Sequence, residues 1–150
     1  MNPKVALFVG AGIAGEHDAV VELADLVGAP VGHSLRGKEH IQYDNPYDVG
    51  MTGLLGFSSG YRAIEKCDTL LMLGTDFPYQ QFYPSKATII QVDIRGEQIG
   101  KRCPVDIPLV GSVADTVSGR PGAQRLAVTS GGTIPDRGLY AVMLATGDGP

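Results

Sequence analysis

The hexapeptide Gly10-Ala11-Gly12-Ile13-Ala14-Gly15 restricts what this chain can fold into more than any other stretch. It follows the apolar run Val5-Ala6-Leu7-Phe8-Val9 and precedes an amphipathic segment at residues 16–27. That order reads strand, glycine turn, helix. Glycines at the first, third and sixth positions allow a tight turn, a close approach of backbone to a pyrophosphate, and close packing of helix on strand. Backbone N–H groups at the helix start then form an anion site. Glycine turns also occur in α/β domains that bind nothing, so a purely structural reading stands beside the functional one.

Further strands alternate with helical or loop segments. Ala29-Pro30-Val31-Gly32-His33 reads as a second parallel strand, and residues 35–47 as a long polar loop. A helix is predicted at residues 61–66, with Ser58 or Ser59 as its cap. Thr69-Leu70-Leu71-Met72-Leu73 and Thr88-Ile89-Ile90-Gln91-Val92-Asp93 have the continuous apolar or β-branched character of buried strands. Residues 105–110 make a last short strand that Pro108 confines to a sheet edge. A helix begins near Val113 and does not develop. Short apolar runs at residues 126–129 and 141–144 then bracket Gly131-Gly132. The pattern predicts an α/β fold: a doubly wound, Rossmann-like parallel sheet of about six strands in three α/β/α layers. Ligands of such sheets lie beyond the carboxyl ends of the strands. Residues 10–15, 33–38 and 75–79 and Asp93 are therefore the ligand-facing candidates.

Composition removes several function classes. Sixteen acidic against twelve basic side chains leave a formal charge of −4, which argues against a general nucleic-acid binder. No apolar stretch approaches the roughly 18 residues needed to cross a bilayer. Cys67 and Cys103 form no C-x-x-C pair and no disulfide framework, which suits a reducing, cytoplasmic setting. His17, His33 and His40 lack the helical i, i+4 spacing of a zinc site, so no metal site is expected.

A dinucleotide needs close backbone donors, an acid for a ribose and walls for its rings. Asp93 supplies an acid at a strand end; its alternative role is a turn or capping aspartate. In a nicotinamide-binding unit the acid follows the second strand, about 20 residues past the glycines. Here His33 and Ser34 stand there, so a different dinucleotide is indicated. Gly56-Phe57-Ser58-Ser59-Gly60 matches the nucleophile turn G-x-S-x-G, but a hydrolase triad runs serine, acid, histidine, and every histidine precedes Ser58. Ser58 is read as a turn or cap residue. No catalytic constellation emerges, and binding is the simpler expectation.

The stretches Gly32-His33-Ser34-Leu35-Arg36-Gly37-Lys38-Glu39-His40 and Tyr43-Asp44-Asn45-Pro46-Tyr47-Asp48-Val49-Gly50-Met51-Thr52-Gly53 resemble the central domain of thiamine-diphosphate enzymes. Within that family they are most similar to pyruvate oxidase and the quinone-linked pyruvate dehydrogenase. Gly74-Thr75-Asp76-Phe77-Pro78-Tyr79 and Ile90-Gln91-Val92-Asp93-Ile94 continue the resemblance, which covers about residues 4–116. It implies a flavoprotein domain that binds FAD on a six-stranded parallel sheet. Beside the glycines Gly10 and Gly12, Thr52, Gly53, Leu54 and Leu55 would line the flavin. Thr75, Asp76, Phe77, Pro78 and Tyr79 would hold the middle of the cofactor, Asp93 the adenosine ribose, and Arg36 the phosphates.

The resemblance further implies that a full-length subunit is an oxidoreductase. It decarboxylates pyruvate on thiamine diphosphate with magnesium, and passes electrons through FAD to a quinone or oxygen. The thiamine site belongs to domains before and after this segment, so the chain alone is expected to be catalytically incomplete. Alternative expectations are a component working in trans with separate thiamine-diphosphate-binding chains, and a vestigial fragment that binds nothing. Residues 1–116 are read as the domain, and residues 117–150 as an atypical tail, fused or disordered. The tail's residues 125–144 resemble a segment of large helicase-related ATPases without any ATPase motif. Exposed flanks would favour association into a homo-oligomer.

Overall fold

A computed structural model describes residues 4–51, 58–75, 84, 86–118, 126–128 and 141–143. Six strands, β1 (Val5–Val9), β2 (Val31–His33), β3 (Asp48–Met51), β4 (Thr69–Leu73), β5 (Thr88–Asp93) and β6 (Ile107–Val110), form one sheet in the order β3-β2-β1-β4-β5-β6. Every neighbouring pair in it is parallel. Helices α1 (His17–Val27), α2 (Lys38–Ile41) and α3 (Ser58–Glu65) lie between successive strands from β1 to β4, and α4 (Val113–Ser118) follows β6. This is the doubly wound, three-layer arrangement that alternating strands and helices dictate.

Side-chain alternation divides the core. Val5, Leu7 and Val9 of β1 join Leu71, Leu73, Ile90 and Val92 on one face, where they meet Val20, Leu23 and Ala24 of α1 and Val113 of α4. Ala6 and Phe8 join Leu70, Met72 and Ile89 on the other, against Ile64 of α3 and Cys67. A strand covered on both faces has no polar positions to alternate with, which is why β1 and β4 read as unbroken apolar runs. In α1 the buried residues His17, Val20, Leu23 and Ala24 follow the spacing of one helical face.

Three features differ from the sequence expectation. The segment read as a loop over 35–47 contains a 3-10 helix, Leu35–Gly37, followed by α2. Ser34 Oγ accepts from Gly37 N–H at 3.2 Å and starts the turn, and the wholly buried Ile41 anchors it. Strand β3 is additional; its four residues are each only half-buried, so an edge strand with Asp48 and Gly50 carries little apolar signal. Helix α3 begins at Ser58, which places that residue in the first turn. Pro108 lies in β6, the terminal strand of the sheet, as its missing N–H requires. Beyond it, β7 (Leu126–Val128) and β8 (Ala141–Met143) pair antiparallel as a separate two-stranded sheet. Among the described residues, no helix is long and apolar enough to cross a membrane.

Candidate functional site

Backbone bonds tie the carboxyl ends of the strands into a continuous rim. Gly10 N–H donates to Leu73 O at 3.2 Å and Gly12 N–H to Gly74 O at 2.9 Å, joining the turn after β1 to the turn after β4. Gly74 N–H donates to Val92 O at 2.9 Å, and Gly111 N–H to Asp93 O at 3.0 Å, so the rim continues across β5 and β6. Ser34 N–H donates to Val9 O at 3.0 Å and brings in the segment after β2.

The centre of this rim has room only for glycine. A Cβ on Gly12 would stand 2.6 Å from Gly74 Cα, and one on Gly74 would stand 2.7 Å from Gly12 Cα. A Cβ on Gly10 would meet Thr75 Cβ at 2.7 Å, and one on Gly37 would meet Val9 O at 2.8 Å. The expectation was that the N–H groups of this turn face a pyrophosphate. Instead those of Gly10 and Gly12 are committed to carbonyls of the neighbouring strand end, and a 3-10 helix, Ala11–Ile13, intervenes before α1. The close approach that glycine permits is made here by protein backbone.

Around this junction, the structure places the sequence-selected residues as follows. Thr75 is buried directly after β4. Asp93 is half-buried at the end of β5, and its Oδ1 accepts from Arg95 N–H at 2.8 Å, an aspartate turn that fixes the carboxylate. Arg36 is exposed on the 3-10 helix after β2. Gly10, Gly12, Arg36, Thr75 and Asp93 thus share one edge of one sheet. Thr52, Gly53, Leu54, Leu55, Asp76, Phe77, Pro78 and Tyr79 lie outside the described residues. His33, taken as part of a ligand-facing segment, is wholly buried; Nδ1 lies 3.1 Å from Ser34 O and Nε2 3.3 Å from Asp48 Oδ1.

Two residues of this edge were not singled out from sequence. Glu16 precedes α1, and its Oε1 accepts from Ala114 N–H at 3.1 Å, reaching the start of α4 across 98 positions, while its Oε2 is buried without a hydrogen-bond partner. Gln91, 2% exposed in β5, bonds the main chain of two loops. The signal available for Gln91 was an amide in an otherwise apolar strand. For Glu16 there was none.

Among the described residues, titrations are perturbed at His17, Tyr47, Cys67 and Cys103. His17 Nδ1 is 2.9 Å from Asp18 Oδ1 and Nε2 is 2.6 Å from Tyr43 O. Both partners are acceptors that favour the protonated ring; the Asp18 bond leads in raising the imidazole pKa, against a smaller opposing effect of burial. The ring stacks on Tyr43 with centroids 4.2 Å apart. The adjoining cavity of about 470 Å3 is also lined by Glu22, Asp25 and Asp44, a charge pattern unsuited to phosphate. Burial pushes the Cys67 thiol up to about 12 and raises that of Cys103. No group of three or more His, Cys, Asp or Glu able to hold a metal ion occurs among the described residues.

Comparison with known proteins adds an independent finding. The family model described as thiamine pyrophosphate enzyme, central domain, matches residues 2–119. An uncharacterized 42.6 kDa protein in the isoamylase 3' region of Pseudomonas amyloderamosa is 60% identical over 114 residues, covering 76% of this chain and 29% of that protein. YdaP of Bacillus subtilis (strain 168), whose name describes a thiamine pyrophosphate-containing protein, is 36% identical over 107 residues, 71% of this chain and 19% of its own length. The acetolactate synthase large subunit of Pyropia yezoensis is 33% identical over 119 residues, 75% of this chain and 20% of that subunit. The chain therefore spans less than a third of the length of these relatives.

Proposed function

The chain belongs to the thiamine pyrophosphate enzyme central-domain family, and on that premise we propose that it is a dinucleotide-binding module whose ligand is FAD. Its parent activity is that of the pyruvate oxidase and quinone-linked pyruvate dehydrogenase group. The observation that carries this reading is the position of Asp93. A half-buried carboxylate closes β5 beside the Gly10–Gly12–Gly74 junction, where a doubly wound sheet receives its ligand.

The residues present fit the adenosine end of such a ligand. Asp93 Oδ1 is oriented by Arg95 N–H and offers a ribose hydroxyl a charged acceptor. Because the Gly10 and Gly12 N–H groups are committed to Leu73 and Gly74, the phosphates rely on Arg36, exposed on the same edge. Thr75 forms the wall between them, and Gly10 and Gly12 the floor. Residues 52–55 and 76–79 are proposed to line the flavin and the middle of the cofactor. Bound flavin supplies redox chemistry; the part of this chain is to hold and orient it. Thiamine diphosphate and magnesium are assigned to other segments of the full-length family subunit, and cytoplasmic residence is part of the same proposal. We place the module at residues 1–116 and treat 117–150 as a tail. The end of the family match at residue 119 and the separate β7–β8 pair support that division.

A second reading of the parent activity rests on the relatives. Several are named acetolactate synthase, including that of Mycobacterium bovis, 33% identical over 123 residues. Adding thiamine-diphosphate-binding chains to this one separates the two. Pyruvate-dependent dye reduction supports the oxidoreductase, and acetolactate formation without dye reduction the synthase.

Binding itself is tested by an absorption titration of the purified chain with FAD, repeated with Asp93→Ala. Loss of a charged hydrogen bond should weaken binding by roughly 1.5–3 kcal/mol, about ten- to a hundredfold. Equal affinity in the two proteins removes Asp93 from the site, and a wild-type chain that takes up no FAD refutes the module.

A further inference from the structure

Gln91 is an uncharged amide inside a strand whose neighbours Ile90 and Val92 are buried hydrocarbons, and it is itself only 2% exposed. By strand alternation it shares a face of β5 with Ile89 and Asp93, and Ile89 packs there with Phe8, Leu70 and Met72. A leucine or methionine of similar volume would fill this place without polar groups to satisfy. The amide instead bonds the main chain of two separate loops. Nε2 donates to Thr75 O at 3.3 Å and to Gln98 O at 3.5 Å, and Oε1 accepts from Gly100 N–H at 3.1 Å. One loop follows β4 and the other follows β5, and Asp93 stands between them in the chain.

Among the described residues, the turn after β5 also carries local bonds of its own. Gln98 N–H donates to Arg95 O, Ile99 N–H to Gly96 O and Lys101 N–H to Gln98 O, at 3.0, 3.2 and 3.3 Å. Such bonds shape a turn without fixing where it sits on the sheet. The Gln91 amide ties it to the sheet, since it grips the turn at residues 98 and 100 and the β4 loop at residue 75 with one planar group.

We propose that Gln91 is a positioning residue that holds the 95–101 turn and the Thr75 loop at a fixed separation, and so sets the width of the slot that receives the adenosine half of the ligand. This rests on the reading of Asp93 as the ribose acceptor. Gln91 acts through the backbone of Thr75, Gln98 and Gly100 and does not touch the ligand.

The test uses the full chain as wild type and as Gln91→Leu, which keeps the volume and removes all three bonds. Amide exchange is followed without ligand, and FAD, ADP and FMN are titrated separately. Exchange at residues 98–101 should accelerate about tenfold while β1 and α1 are unchanged. FAD and ADP affinities should fall together by about tenfold, the effect of one hydrogen-bonded tie, with FMN binding unaltered because FMN lacks the adenosine. Unchanged exchange shows that the tie does not hold the turn and overturns the proposal. Faster exchange with unchanged FAD and ADP affinity also overturns it, leaving Gln91 a packing residue. A wild-type chain that binds neither FAD nor ADP fails the flavin reading and the positioning role with it, while the exchange rates still show by themselves whether the tie holds the turn. If Gln91→Leu does not fold, Gln91→Glu replaces it. Its neutral carboxyl at low pH restores one donor, so protection and ADP affinity should both fall as pH rises, and a flat profile refutes the inference.

Discussion

Gly12→Ala decides whether the glycine turn is built for a ligand or for the protein. The added methyl would stand 2.6 Å from Gly74 Cα, 2.8 Å from Gly74 O and 3.0 Å from Gly74 C, all backbone atoms that no rotamer change can move aside. Overpacking of this kind costs about 1–3 kcal/mol. Pushing the turns apart also stretches the Gly12 N–H to Gly74 O bond, about 0.5–1.5 kcal/mol more. Against this, alanine restricts the unfolded chain and returns about 0.4–1 kcal/mol. The balance is a loss of about 0.5–4 kcal/mol centred near 2, which at that centre is a fall in Tm of roughly 4–8 °C for a chain this long.

Urea unfolding of the ligand-free chain measures it, with two controls. At Gly32 a Cβ finds nothing closer than 3.7 Å, so Gly32→Ala should be nearly silent. Gly15 has open space but a φ of +78°, so Gly15→Ala should cost about 1–2 kcal/mol from backbone strain alone. If Gly12→Ala matches wild type in stability without ligand and loses only nucleotide affinity, the turn exists for the ligand and the packing account is refuted.

Four further outcomes are expected. His17 has a pKa raised above 6.5 in the folded state, so its stabilisation is complete below pH 6.5 and lost as pH rises through the raised value; the difference in unfolding free energy between wild type and His17→Asn should shrink across that window, and a constant difference from pH 5.5 to 8.5 refutes it. With its thiol pushed up to about 12, Cys67 should resist iodoacetamide at pH 8 until urea unfolds the chain; labelling of native protein at the rate of a free thiol contradicts this. Leu71→Ala, in a central strand and wholly buried, should cost about 2–5 kcal/mol in urea titrations, and a loss below 1 kcal/mol means the sheet is not packed as described. Since Arg36 is exposed, its proposed attraction for phosphate should be screened by salt, so FAD affinity should fall between 50 and 500 mM NaCl in wild type and much less in Arg36→Gln; parallel salt curves remove Arg36 from the site.

What could be read from sequence depended on how completely each element is buried. Strands β1, β4 and β5 were legible because both faces of the sheet are covered, so that β1 and β4 read as apolar runs and β5 as apolar and β-branched residues on either side of Gln91. Strand β3 was not, since an edge strand of half-buried residues carrying Asp48 and Gly50 has neither alternation nor a run. Helix α2 hid inside a polar stretch because a single wholly buried side chain, Ile41, holds it. Near the candidate site, the place of Asp93 at a strand end was legible, while its proposed ligand role is a separate matter for the FAD titration. The Glu16 contact with Ala114 was not, because nothing local to either residue encodes a partner 98 positions away.

The glycine hexapeptide is read from sequence as an approach of backbone to a pyrophosphate, yet spacing alone cannot say what approaches. Here Gly74 does, and this changes how the edge can work. With its centre closed by backbone bonds, the proposed ligand would meet a finished floor and would have to be held from the flanks. Arg36 follows β2 and Asp93 ends β5, and β1 and β4 lie between them in the sheet. Three steps at about 4.8 Å put those strand ends roughly 14 Å apart. That is too wide for a single phosphate or a lone ribose to touch both. It suits an extended ligand with a polyol at one end and negative charge nearer the middle, met by a long arginine side chain reaching inward. On the proposed reading, a rim closed at its centre by backbone bonds and carrying Arg36 and Asp93 at its flanks would take a nucleotide lying across the strands in preference to a small anion seated at one helix.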